Sequence, residues 1–255
     1  MRNRSWRLTL AARIRRIPDK RLARLGAAVG SVLDYATKLA TCITLGFFLG
    51  IGLLCAVSVW LWVFATPAHA ESIPAAAQQY RSVVIRAARV EAGLNAPVAV
   101  FAAQLEQESG WNPEARSVVG ASGLGQFMPG TARDLGRTRP DLGPAEPTNP
   151  GWAIRALVAY DLANLRRVRA ASPCDAWAMA LSAYNGGLGW VWRDQELAKR
   201  LGLDPARWWN SVETVNAGRS LAAISENRKY PYGILFRRQH KYLVWGPGIL
   251  CEVPQ

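Results

Sequence analysis

Histidine is almost missing from this chain of 255 residues: His69 and His240 are the only two, and neither stands near any of the four cysteines at ligand spacing. A protein-held metal needs three or four clustered His, Cys or carboxylate ligands, so no metal site and no cofactor is expected. Alternating apolar and polar residues, the mark of half-buried strands, are also missing, and the expected fold class is mostly α. Internal repeats and low-complexity tracts are absent. Acidic residues are scarce, 18 against 31 Lys and Arg, for a net charge of +13.

Charge is missing altogether from residues 39–65, a run of 27. That is more than the ~20 apolar residues a helix needs to cross a bilayer. Ahead of it, residues 1–38 carry ten Lys and Arg against Asp19 and Asp34, a net of +8. Basic residues before an apolar span are retained in the cytoplasm. The arginines therefore read as a topology signal rather than a nucleic-acid surface, and the rest of the chain is expected outside the inner membrane. Small residues in Thr66-Pro67-Ala68-His69-Ala70 fit a signal-peptidase site after Ala70, whereas the long basic arm and long apolar run fit a retained anchor. Both outcomes stay open. The expected organisation is a basic arm at 1–38, a transmembrane or signal segment at 39–70, and one exported domain at 71–255. Cys42 and Cys55 fall in the apolar run. The two exported cysteines, Cys174 and Cys251, would meet an oxidising compartment and are expected to pair.

Within the exported part, apolar periodicity and Gly, Asn and Pro punctuation predict helices over 82–93 and 96–108, separated by Gly93-Leu94-Asn95-Ala96-Pro97. A loop is expected over 109–128, a short helix over 131–135, turns over 136–150 and an amphipathic helix over 152–169. Ser172 as cap and Pro173 in the first turn open a further helix to Tyr184.

The most informative residue is Glu108. Val98, Phe101, Ala102, Leu105 and Glu108 recur at helical spacing, so this carboxyl ends an apolar stripe just before a loop rich in Gly, Pro and Asn. Desolvation by that stripe and the negative end of the helix dipole both disfavour the charged form. A proton donor to a glycosidic oxygen at neutral pH needs that shift. Glu106 is the nearest competitor, but its helical neighbours Ala99, Ala102 and Ala103 offer little apolar bulk.

Three blocks in order carry a resemblance. They are Glu108-Ser109-Gly110 with Ala121-Ser122-Gly123-Leu124-Gly125-Gln126-Phe127-Met128-Pro129, then Ala183-Tyr184-Asn185-Gly186-Gly187, then Glu226-Asn227-Arg228-Lys229-Tyr230. The region 96–240 resembles the soluble-lytic-transglycosylase family, lysozyme-like enzymes that cut the glycan strands of bacterial peptidoglycan. The resemblance implies a lysozyme-like domain with Glu108 as catalytic acid and then base. It implies a substrate groove formed by Ser109, Gln126, Met128, Tyr184 and Asn185, and a site framed by Glu226 and Tyr230. The implied reaction cleaves between N-acetylmuramic acid and N-acetylglucosamine, leaving a 1,6-anhydro sugar. Hydrolysis ordinarily needs two carboxyls, and the loop from Ser109 to Thr131 offers only Glu114 and no Asp.

Two departures stand out. Gly125 occupies a place where the family more often has Met, and the stretch from Trp190 to Gly218, rich in Trp and Arg, is longer than the usual link and is a candidate to widen or lid the groove. Ser117 and Ser122 read as turn residues. Of the eight Trp after residue 70, Trp111 and Trp190 stand next to the motif loops and are expected in the groove. A muramidase that adds water is one alternative. Another is a weakly active wall-binding component of a secretion, conjugation or phage-entry apparatus. The expected partners are peptidoglycan strands, the inner membrane through residues 39–65 if that segment is uncleaved, and such an apparatus; nucleic acid is not among them.

Overall fold

The computed structural model describes residues 30–31, 33–41 and 72–252, and the chain divides into two units, Met1–His69 and Ala70–Gln255. In the first unit the described residues are helical, with Lys38 paired to Asp34 one turn away at 2.6 Å. Among the described residues no helix is long and apolar enough to cross a membrane. The expected span at 39–65 lies outside them apart from Leu39–Thr41, as do the expected cleavage point after Ala70 and most of the basic arm.

In the second unit the described residues are mostly helical, with two isolated bridges, Arg116 to Ser122 and Ser122 to Phe127, in place of strands. The helices are α1 (Ala75–Gln78), α2 (Arg81–Ala92), α3 (Val98–Ser109), α4 (Pro129–Thr138), α5 (Pro150–Leu165), α6 (Pro173–Gly186), α7 (Leu188–Arg200), α8 (Leu221–Tyr232) and α9 (Gln239–Tyr242). Gly93 ends α2 at φ 80° and Gly110 ends α3 in the left-handed region at φ 58°, a conformation that costs glycine little. Ser172 caps α6 by accepting from Asp175 N, as its position suggests.

Several boundaries differ from the sequence expectation. The short helix at 131–135 is a ten-residue α4 starting at Pro129, which is well placed at N1, and it takes the first part of the expected turn region. Asn149 caps α5 through Gly151 N at 3.0 Å and Trp152 N at 3.3 Å, so α5 begins at Pro150 and ends at Leu165, four residues short of the expected Arg169.

The core sits around α3, α5 and α6. Residues 98–105 of α3 are all buried, and α5 and α6 bury side chains on nearly all sides, which is what central helices do. Phe101 meets Trp177 edge-on at 5.5 Å between centroids. α8 packs on α6, and α5 packs on α2 and α6. Pro231 lies inside α8 and removes a backbone donor, and the helix continues as a π-helical turn over Gly233–Arg238.

The 190–218 stretch is not a free lid. Val191, Asp194, Ala198 and Trp208 are buried, and Asp175 Oδ1 accepts from Trp208 N at 2.8 Å. The tail is fastened as well. Ala99 N donates to Pro247 O at 2.9 Å, Gln239 and Ile249 exchange two hydrogen bonds, and Cys174 and Cys251 form a disulfide with Cα atoms 5.4 Å apart.

Candidate functional site

The end of α3 splits its two carboxylates between different environments. Glu106 accepts from Lys241 Nζ at 2.8 Å and from Tyr242 Oη at 2.5 Å, a partly buried ion pair on the side of α9. Glu108 lies two residues on, which turns it to the other side, into a cleft of about 560 Å³. Leu105 and Phe101, one and two turns back on its stripe, are fully buried. Glu108 itself is half-buried.

Burial pushes the Glu108 carboxyl up from 4.5 to about 7. A hydrogen bond donated by the Tyr230 hydroxyl to Glu108 Oε1 works against that rise, and the charge of Glu226 adds to it. Near neutral pH this group can therefore both give and take a proton. Burial keeps the Tyr184 and Tyr230 phenols protonated well beyond the ordinary range, the nearby Glu108 charge adding to the effect.

The cleft brings together Glu108, Gln126, Met128, Tyr184, Asn185, Glu226 and Tyr230, residues that lie up to 122 positions apart in the chain. Ser109 is not among the residues lining it, and its hydroxyl donates back to Leu105 O at 3.2 Å. Tyr184 lines the cleft, but its hydroxyl donates to Gly125 O at 2.6 Å, so its proton is committed to the loop rather than to a sugar. Gln126, at φ 48°, likewise donates through Nε2 to Ala115 O at 3.1 Å and Gly123 O at 3.0 Å. These two side chains hold the loop in shape.

Gly125 explains its own presence, since a Cβ there would come 2.7 Å from the Phe127 ring and 3.0 Å from the Tyr184 hydroxyl. The Phe127 ring itself packs edge-on against Trp152 at 5.5 Å. Gly123 passes so close to Pro147 that an added Cβ would sit 1.6 Å from the Pro147 carbonyl oxygen.

The two tryptophans expected in the groove part company. Trp111 is 1% exposed, donates to Tyr242 Oη at 2.8 Å, and packs among Tyr80, Tyr242 and Trp245. It belongs to the core: the left-handed turn at φ 70° swings its ring inward. Trp190 lines a smaller hollow beside the cleft.

Several residues of the site were given no role by the sequence, although Asn227 and Lys229 stand in the third block. Asn227 is buried; it accepts from Ser182 Oγ at 2.7 Å and donates to Asn185 Oδ1 at 3.0 Å, and Asn185 in turn reaches Glu226 at 3.4 Å. Tyr160 and Lys229 line the cleft. Beneath it Asp161 is fully buried and accepts from Gln104 Nε2 at 3.2 Å. Its Oδ2 and the Gln104 Oε1 are buried without partners among the described residues. Burial pushes the Asp161 carboxyl well up, and in its protonated form it gains a donor in a place where two acceptors lack one. A helical period shows that such residues face inward but not what they meet there.

Residues 85–205 match the family model described as the transglycosylase SLT domain. That segment holds Glu108, the 121–129 loop and the Tyr184-Asn185 pair. Residues 85–205 belong to the transglycosylase SLT domain family. Glu226 and Tyr230 lie beyond the matched segment of the SLT domain and complete its cleft from α8.

Among curated relatives, a protein called membrane-bound lytic murein transglycosylase F 2 from Alkalilimnicola ehrlichii is 31% identical over 144 residues, 56% of this chain and 29% of the relative. A membrane-bound lytic murein transglycosylase F from Shewanella pealeana is 33% identical over 174 residues, 61% of this chain and 33% of the relative. The matches span a third or less of these relatives. Among solved structures, the 70 kDa soluble lytic transglycosylase from Escherichia coli is 26% identical, covering 68% of this chain and 26% of that one, with a TM-score of 0.48.

Proposed function

We propose that the chain is a lytic transglycosylase of the bacterial cell wall, acting outside the inner membrane. The observation that carries this reading is the Glu108 carboxyl at about 7, held between Tyr230 and Glu226 in an open cleft. Protonated Glu108 donates to the oxygen joining N-acetylmuramic acid to N-acetylglucosamine, and the bond from that oxygen to the anomeric carbon breaks. Glu108, now a carboxylate steadied by the Tyr230 hydroxyl, takes the proton from the muramic acid 6-hydroxyl as its oxygen closes on the anomeric carbon. The product ends in a 1,6-anhydro ring and no water is consumed. Intramolecular capture benefits from proximity, worth several kcal/mol of barrier. The names of the relatives, lytic murein transglycosylases, support the same substrate.

One observation favours a second reading. Glu226 lines the same cleft as Glu108, so a second carboxylate is present for a hydrolytic route. Mass spectrometry of the glycan ends released by the full-length chain separates the two. Ends lighter by one water are expected; reducing ends alone would replace the proposal with a muramidase. For the topology, a periplasmic reporter fused after Gln255 is expected to be active and one fused after Lys38 silent, and the opposite pattern would overturn export.

A further inference from the structure

A second hollow, of about 380 Å³, opens off the cleft and shares Asn185 and Glu226 with it; its other walls include Gly186, Trp190, Gly218 and Arg219. The Arg219 side chain is only 5% exposed. Its guanidinium lies between the Trp190 ring, 5.6 Å from the centroid, and the backbone of Gly186, where an added Cβ would come 3.1 Å from Nη1. Nη2 is engaged by Asp194, while Nε and Nη1 are buried with no hydrogen-bond partner among the described residues. Orphaned charged donors of this kind call for a ligand or an ion.

The local charge points the same way. Asp194, fully buried, also accepts from Arg228 Nη2 at 2.7 Å, so two guanidiniums share one buried carboxylate, and the further carboxylate of Glu213 acts on Arg228. Arg193 adds a further cation over the Trp190 ring at 4.6 Å. Glu226 on the rim opposes an anion, but it is exposed and screened by solvent, whereas the Arg219 charge is not. A guanidinium presents its N–H groups in a planar fork that suits a carboxylate.

A murein strand lying in the cleft carries its carboxylates on the peptides that project sideways from the muramic acid residues, not on the sugar rings. The geometry points to this hollow as a subsite for a carboxylate of the stem peptide, with Arg219 as its anchor. The inference rests on the proposed function and adds to it a preference for strands that still bear their peptides.

The test uses the full-length chain and one preparation of peptide-bearing glycan strands, with the peptide carboxylates left free or capped as amides, and compares kcat/KM on the two. Arg219→Gln is expected to lower the ratio of kcat/KM on free-carboxylate strands to that on amide-capped strands by about tenfold, the loss of a hydrogen bond to a charged group. Asp194 keeps Arg228 in this variant. Ala223→Glu places a carboxylate on the exposed rim of the hollow and is expected to lower the ratio too. Because Ser220 caps α8 and residue 223 is its N3 position, Glu there makes a capping box and supports the fold. A ratio unchanged in either variant overturns the subsite. Failure of the unsubstituted chain to cleave either substrate would instead sink the function on which it rests.

Discussion

Tyr230 donates a hydrogen bond to the Glu108 carboxylate across 122 residues of sequence, joining the end of α3 to α8. The bond favours the ionised acid while burial disfavours it, and burial is the larger effect. The balance leaves Glu108 near neutrality, which an acid that must become a base in the same cycle requires.

Removing the acid should abolish turnover without unfolding the protein. Glu108→Gln keeps size and polarity but carries no transferable proton, so product formation from murein is expected to fall ~10²–10⁴-fold. Glu106→Gln should act on stability instead, because it removes the ion pair of Glu106 with Lys241 and weakens its hydrogen bond from Tyr242. Product assays beside thermal melts separate the two effects. A Glu106→Gln variant that melts normally but has lost turnover would contradict the division of roles.

The pH dependence follows from the sign of the shift. With its folded value raised to about 7, Glu108 is the competent proton donor below that value, so kcat/KM should fall as pH rises through 7. Tyr230→Phe removes the interaction that lowers the value, and the break should move to higher pH. The same shift means that the favourable contribution of Glu108 to stability is present below its unfolded value and lost as pH rises through about 7. Glu108→Gln should therefore be the more stable protein at pH 8 than the unsubstituted chain, as measured by denaturant midpoints.

Asp161 obeys the same sign rule with no catalytic contact. Its folded value is raised by burial, so its contribution to stability is progressively lost above the ordinary carboxylate range. Each pH unit costs about 1.4 kcal/mol until the folded value is reached or the group finds another way to discharge. Asp161→Asn can offer an amide N–H to Gln104 Oε1 at every pH. Its unfolding midpoint should accordingly be flatter between pH 5 and pH 8 than that of the unsubstituted chain, and parallel curves would show that Asp161 folds ionised.

The Cys174–Cys251 bridge closes a loop of sequence separation 77 and ties the tail to the first turn of α6. Paired Cys174→Ser and Cys251→Ser substitution should lower stability by about 2–4 kcal/mol. Thiol counting on the non-reduced protein is expected to find neither cysteine free.

Gly125 offers a smaller test of the loop. Gly125→Ala places a methyl group against the Phe127 ring and the Tyr184 hydroxyl, so the loop must shift and turnover should drop while α3 and α6 stay in place. Turnover measured beside helical circular dichroism reads both outcomes.

Helical spacing placed Glu108 on the Phe101 and Leu105 face and set it apart from Glu106, because a period of 3.6 decides which side chains share a side of one helix. Caps and breakers likewise marked Gly93 and Ser172, since those conformations depend on the residue itself. Three short blocks were enough to name the family and most of the cleft. What the sequence could not convey was how separated segments meet. It marked Trp111 for the groove, and a left-handed turn places it in the core. It assigned Tyr184 and Gln126 to the sugars, and both spend their donors on loop carbonyls. It held no sign of Asn227 linking α8 to α6, of Asp161 beneath the acid, or of Arg219 with two buried donors unpartnered among the described residues. Local conformation is written in neighbouring residues, whereas the protonation of Glu108 depends on what surrounds it, and those surroundings, Tyr230 and Glu226, arrive from the far end of the fold only when the chain has packed.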